Sequence, residues 1–244
     1  MPLFIFLLSN LIFRNDVDTI SGYVLLYSVP TAITGFLWVS MFGGDLALAM
    51  ALILMDTILA PLVVPSTVRL LLGASISLDM TAMAFSLVYM IGIPTIVGVV
   101  LNDLSRGKIP ALINPFLSPF SKICMVLMIS SNTSALAPQI RFNNPRVWII
   151  FFICIGFSVL SFLWARLVGY MGKLDREKQI SFFFAAGLRN TGAALTLGLE
   201  FFPAAAAMPA VIGIIFQQTT AVILGRIILG KTGNNRTVTP ESIK

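Results

Sequence analysis

Apolar residues in this chain do not alternate with polar ones. They come in long runs, separated by short polar breaks, at about residues 1–13, 19–42, 45–66, 80–101, 115–137, 147–168, 180–201 and 206–229. Most of these runs approach the ~20 residues that a helix needs to cross a bilayer. A transmembrane β-barrel needs lipid-facing and lumen-facing residues in alternation, and stretches such as Leu46–Leu54 (LALAMALIL) show none. The pattern predicts an all-α integral membrane protein with about eight transmembrane helices.

Composition supports the same reading. Hydrophobic residues make up 57% of the 244 and charged residues 11%, against about 25% charged in soluble domains. The net charge of +6 is accounted for by basic residues flanking the helices, so no nucleic acid is expected as a partner, only the lipid bilayer. If the runs alternate in direction, one side collects Arg106, Lys108, Arg166, Lys173, Arg176, Lys178, Arg226, Lys231, Arg236 and Lys244. The other collects only Arg14, Arg69, Arg141 and Arg146. The richer side is expected to be cytoplasmic. That predicts a multi-pass protein of the cell membrane with both ends in the cytoplasm, the second being the polar tail 231–244. Cys124 and Cys154 lie in separate apolar runs and there is no His, so neither a zinc site nor a His proton relay is expected.

Two runs carry polar residues and helix breakers in mid-span. The first, Tyr27–Asp45, contains Pro30, Thr31, Thr34 and Gly35; the second, Ala185–Pro203, contains Gly187, Arg189, Asn190, Thr191 and Gly192. Proline removes a backbone donor and blocks the turn before it. Backbone groups freed in this way are tolerated within a membrane only against protein or a water-filled cavity. Thr34-Gly35 matches Thr191-Gly192, with an acidic residue following in each run, Asp45 and Glu200. As second and seventh of eight, the two runs point in opposite directions. Opposed interrupted helices in the two halves of a chain mark an inverted-repeat transporter, with its site where the breaks meet. The competing reading is that Pro, Gly and Thr serve close helix packing.

Asp56 and Arg189 fall near the middle of their runs. A charge there costs about 2.5–3.5 kcal/mol on insertion scales, so each is expected to face a cavity or a partner. Ala49, Ile53 and Asp56 share one helix face by their spacing, and an ion pair between Asp56 and Arg189 is expected. Asn190 and Gln218 are also mid-span, as site residues or as hydrogen-bonding glue between helices. Pro61, Pro65, Pro94 and Pro209 are expected at kinks or helix ends. Walker, His-Glu metal and Gly-x-Ser-x-Gly patterns are absent from the sequence, and no enzyme is expected.

Gly22–Gly73, Ile91–Asp103 (IGIPTIVGVVLND) and Gly187–Gln218 together resemble the bile acid:sodium symporter family. The most specific parts are Gly44-Asp45 after the first break, the Leu59–Leu62 run Leu-Ala-Pro-Leu, and Arg189–Gly192. The resemblance implies ten helices in two inverted five-helix repeats, whose fourth and ninth members are broken and cross in a core domain beside a panel. On that template the chain starts at the third helix. Residues 1–79 would be the first-repeat core helices, 80–140 panel helices and 141–230 the second-repeat core helices. Two panel helices would come from upstream sequence or from an oligomer. The family's side-chain sodium ligands would fall on Gly35, Phe36, Ala49, Ile53, Ala185 and Arg189, none of which offers a side-chain oxygen. The resemblance thus implies a member without the usual sodium sites, and no cofactor. Its arsenite-carrying relatives depend on a thiol in the first broken helix, which is lacking here.

The expected function is secondary transport of a small organic anion. Its candidate site residues are Thr31, Thr34, Gly35, Asp56, Arg189, Asn190, Thr191 and Gln218. The competing reading is a non-transporting membrane protein, either a truncated paralogue or a subunit that needs further helices. A cation channel would need rings of acidic residues. The charge asymmetry gives a direct test. A reporter that fluoresces only in the cytoplasm, fused after Lys244, is expected to be bright; a dark reporter on inserted protein reverses the orientation.

Overall fold

The computed structural model describes residues 1–14, 16–73, 78–136 and 143–230; the tail 231–244 lies outside them. Every regular element among the described residues is helical. The order is α1 (Pro2–Phe13), α2 (Val17–Ser28), α3 (Thr34–Phe42), α4 (Leu46–Leu72), α5 (Met80–Leu87), α6 (Ile93–Ser105), α7 (Lys108–Leu136), α8 (Pro145–Met171), α9 (Arg176–Gly187), α10 (Thr191–Phe201) and α11 (Met208–Leu224). A π-helical turn, Val88–Gly92, joins α5 to α6; a 3-10 turn, Ala204–Ala207, leads into α11, and a π-helical turn, Gly225–Leu229, follows it.

The eight apolar runs each become a helix or a closely joined pair. Among the described residues, four elements are long and apolar enough to cross a membrane: Leu46–Leu72, Met80–Ser105, Pro145–Met171 and Ala204–Leu229. That is half the number expected from the runs. Two of the remaining runs are interrupted, which leaves each half too short to span alone, and α1 is 12 residues long. Proline falls in two kinds of place. Pro94 and Pro209 sit where a π-helical turn passes into α6 and a 3-10 turn into α11, changes of helical winding that accommodate a missing N–H. Pro61 and Pro65 lie inside α4, which continues past both to Leu72.

Aspartate and asparagine side chains start most of the helices. Asp16, Asp45, Asp79, Asn144, Asp175 and Asn190 each accept from a backbone N–H in the first turn of the helix that follows. Such caps satisfy donors that no helical carbonyl can reach. Gly43 closes α3 with a left-handed φ of 74°, a conformation that glycine adopts without steric cost.

Two apolar cores flank the interruptions. The larger joins α2, α4, α5, α8, α10 and α11 through residues such as Tyr23, Leu25, Val64, Phe157, Leu195 and Val211. The Tyr23 hydroxyl donates to the Ile150 carbonyl at 2.6 Å. The smaller core joins α3, α8 and α9 through Phe42, Phe162, Phe183 and Phe184, whose rings meet at 5.0–5.2 Å between centroids. By contrast, only 6% of the Met80–Ser105 span is buried, against 28–39% for the other three spans.

Backbone approaches backbone most closely where α2 passes Ala204–Ala207. A Cβ at Gly22 would stand 2.1 Å from the Ala206 carbonyl oxygen, and one at Gly98 would meet nothing within 4 Å. Gly22→Ala is therefore expected to destabilise by about 2 kcal/mol or more, since rigid backbone must move. Gly98→Ala should be neutral or stabilising by up to about 1 kcal/mol. Thermal unfolding of the two variants in detergent measures the contrast.

Candidate functional site at the crossing of two interrupted helices

Residues 29–33 separate α2 from α3, and residues 188–190 separate α9 from α10. Pro30 cannot donate a hydrogen bond; Val29 and Leu188 are extended, and Ile33 already turns into α3. The two stretches lie antiparallel and form an isolated β-bridge between Thr31 and Arg189. Ala32 N–H donates to Leu188 C=O at 3.3 Å, and Asn190 N–H donates to Pro30 C=O at 2.8 Å. In this type of pair, the N–H and C=O groups of the central residues point outward. Inside a membrane, each would be costly without a partner.

Two side chains from other helices supply partners for three of these groups, the Thr31 N–H and both groups of Arg189. Asp56, on α4, accepts from the Thr31 N–H at 2.7 Å and lies 2.7 Å from the Thr31 hydroxyl through the same oxygen, Oδ2. Gln217, on α11, is buried against the far rim. Its amide oxygen accepts from Arg189 N–H and its amide nitrogen donates to Arg189 C=O, both at 2.9 Å. The crossing is thus a four-layer polar stack: a carboxylate, two extended segments, and an amide.

Arg189 is the crossing's cation. Its Nη1 lies 3.9 Å from Asp56 Oδ2, and its Nη2 donates to Ala186 C=O at 3.3 Å. Its Nε is buried with no hydrogen-bond partner among the described residues. The expected ion pair is therefore present but loose, longer than a hydrogen bond. Its members are unequally covered: the Arg189 side chain is 15% accessible and that of Asp56 39%. A cavity of about 300 Å³ opens beside them. Thr31, Asp56 and Arg189 form its polar end; Leu52, Met55, Leu59 and Phe182 contribute its apolar walls.

The other expected site residues fall around this centre. Thr34 and Gln218 meet on a different face, where Gln218 Nε2 donates to Thr34 Oγ1 at 2.9 Å and Trp38 Nε1 donates to Gln218 Oε1 at 2.7 Å. Gly35 packs in the first turn of α3 over Phe184. Asn190 caps α10 through Ala193 N–H at 3.1 Å, and Thr191 packs against Gly213. None of these five lines the cavity with Asp56. Gln217, which does hold the crossing, is not among the residues expected from sequence. Its signal was present in the spacing Gly213, Gln217, Ala221, Gly225, a stripe of small residues with one amide on a single face of α11.

The sodium bile acid symporter family matches residues 1–141. The uncharacterized protein YbaS of Bacillus subtilis (strain 168) is 37% identical over 233 residues, covering 93% of this chain and 74% of that protein. The chain belongs to the sodium bile acid symporter family. More distant similarity extends to the probable sodium/metabolite cotransporter BASS3, chloroplastic, of Oryza sativa subsp. japonica, at 22% identity over 84% of this chain and 48% of that protein. The uncharacterized sodium-dependent transporter YocS of Bacillus subtilis (strain 168) is 21% identical, over 83% of this chain and 62% of that protein. The chain thus spans about half to three quarters of the length of these relatives. The family is one of membrane transporters of the bile acid sodium symporter type.

Losing the Gln217 amide would strand two buried backbone groups of Arg189. Each stranded group costs about 1–3 kcal/mol. Gln217→Leu is therefore expected to destabilise by about 2–4 kcal/mol. Gln218→Leu, whose partners are side chains with access to water, should cost less than about 1.5 kcal/mol. Chemical unfolding in detergent gives the order; equal losses would assign Gln217 no special role.

Proposed function

We propose that the chain is the core of a secondary carrier for a small amphipathic organic anion, bound beside Arg189 without sodium at the family's usual side-chain positions. The observation that carries this reading is the guanidinium at the polar end of the cavity, with an unpartnered Nε. Arginine offers five N–H donors in a fork that suits a carboxylate or sulfonate. The apolar walls would take the body of the molecule, as in most small-molecule sites.

The sodium reading is weakened at the same place. Ala49 and Ile53, at two of the positions aligned with sodium ligands, are buried at 1% and 5% accessibility among apolar neighbours. Hydrocarbon there supplies no hard oxygen donor, and the fixed charge of Arg189 repels a cation from the adjoining space. We read 1–79 and 141–230 as the two inverted core repeats and 80–140 as panel. The antiparallel meeting of the interrupted helices and the low burial of Met80–Ser105 support that division. The cell membrane and a cytoplasmic C-terminus remain the expected setting.

Binding of benzoate to purified protein tests the anion site, with hexanoate and benzenesulfonate as further probes. Affinity is expected to be unchanged when sodium is replaced by potassium, and to fall at least tenfold in Arg189→Gln. Sodium-dependent binding, or binding indifferent to Arg189, overturns the reading. Stability provides an independent check on the ion pair. Asp56→Asn and Arg189→Gln should each cost about 1–3 kcal/mol, between the limits for exposed and buried pairs. The double variant should recover part of that loss; simply additive losses mean that the two charges are not coupled.

A further inference from the structure

Three oxygens meet at the crossing with too few hydrogens between them. Thr31 Oγ1 lies 2.7 Å from Asp56 Oδ2 and 2.9 Å from the Ala185 carbonyl oxygen. Both are hydrogen-bond distances. A hydroxyl carries one hydrogen, so Thr31 can donate to one neighbour at a time. The Ala185 carbonyl has need of it. In an unbroken helix it would accept from the N–H of residue 189, but that N–H is taken by Gln217. If Thr31 donates to Ala185, its own oxygen faces Asp56 Oδ2 with no hydrogen between them. A proton on Asp56 supplies the missing hydrogen and completes the chain Asp56 O–H to Thr31 O–H to Ala185 C=O.

The charges point to the same place. With Asp56 ionised, its carboxylate and Arg189 sum to zero. An organic anion arriving alone would leave the site at minus one, and a proton arriving alone would leave it at plus one. Both states place net charge in a low-dielectric setting, which is costly. Anion and proton arriving together leave Arg189 facing the anion and Asp56 neutral, and the sum is zero again. Few other ionisable groups are placed to take the proton. α3 and α5 have none, and those of α9 (Arg176, Glu177 and Lys178) lie in its first turn, away from the break. On α2, Tyr27 is buried and Asp18 lies in the first turn, away from the break. Tyr89 on the π-turn after α5 is exposed.

We propose that Asp56 is a proton-carrying site, and that each organic anion bound at Arg189 is accompanied by one proton, taken up by the Asp56 carboxylate from the bulk solution to which the cavity opens. Thr31 is the positioning residue: it holds Asp56 Oδ2 through its N–H and passes its hydroxyl hydrogen to whichever neighbour lacks one. Sodium is replaced as the coupling ion by a proton, and the carrier becomes an anion–proton symporter. This rests on the anion site described above.

Calorimetry of benzoate binding to the detergent-purified full chain tests it. Titrations at one pH in two buffers of different ionisation enthalpy count the protons taken up. The expected count is one per benzoate, with Kd rising about tenfold per pH unit wherever that count holds. In Asp56→Asn, which resembles the protonated state, the count should fall to zero and Kd should lose its pH dependence. The wild-type count needs no variant, so a misfolded Asp56→Asn leaves the test intact. Benzoate binding without proton uptake overturns proton coupling while the anion site stands. Failure of benzoate, hexanoate and benzenesulfonate alike to bind overturns the anion site and the coupling with it. Proton uptake that persists in a folded Asp56→Asn overturns the assignment to Asp56.

Discussion

Two hydrogen bonds, from Ala32 to Leu188 and from Asn190 to Pro30, join a pair of interrupted helices where neither can satisfy its own backbone. Water is not available to do so in a bilayer. The remaining features of the centre follow from that constraint. Extended segments that pair once leave outward-facing groups on both rims, so a carboxylate is required on the α4 side and an amide on the α11 side. Asp56 and Gln217 are those groups. The chemistry proposed for the site is thus tied to its architecture: the carboxylate of Asp56 also caps the Thr31 N–H at the helix break.

Packing around the crossing is correspondingly tight on one side and open on the other. The phenylalanine cluster of α3, α8 and α9 fills the space beneath the second break, leaving no room for a side chain at Gly187, whose Cβ would stand 2.2 Å from the Phe162 ring. On the α4 side the wall is incomplete, and the cavity with Arg189 lies there. A rigid floor and an open face suit a site that must hold its polar groups steady while a ligand enters.

Much of this was legible in the sequence, because hydrophobic runs and helix breakers report directly on membrane length and on backbone supply. The apolar runs, the two interruptions and the placing of Asp56 beside Arg189 could be read from residue type and position, whereas five of the eight candidate site residues lie away from the cavity. The shortfall has physical causes. Pro61 and Pro65 read as kinks or helix ends, and α4 continues through both to Leu72. Gln217 and Gln218 are chemically identical neighbours, and only the face of α11 that meets α10 decides between them. Asp56 read as a partner for Arg189, yet its shortest contacts are to the N–H and hydroxyl of Thr31. That need arises from the β-bridge, which no residue spacing announces.

The half-helices on either side of the crossing have 12 and 9 residues in one pair, and 12 and 11 in the other. At ~1.5 Å per residue these arms measure roughly 14–18 Å, each about half of a ~30 Å hydrocarbon layer. In the proposed transmembrane arrangement, with the crossing at mid-depth, the bridge would divide the membrane voltage into two nearly equal drops. A lone charge reaching Arg189 from either side would cross about half the field, roughly 1 kcal/mol at 100 mV. A pair of opposite charges entering together would cross it without electrical work, so the fold itself determines how far a membrane potential can bias occupancy of its centre.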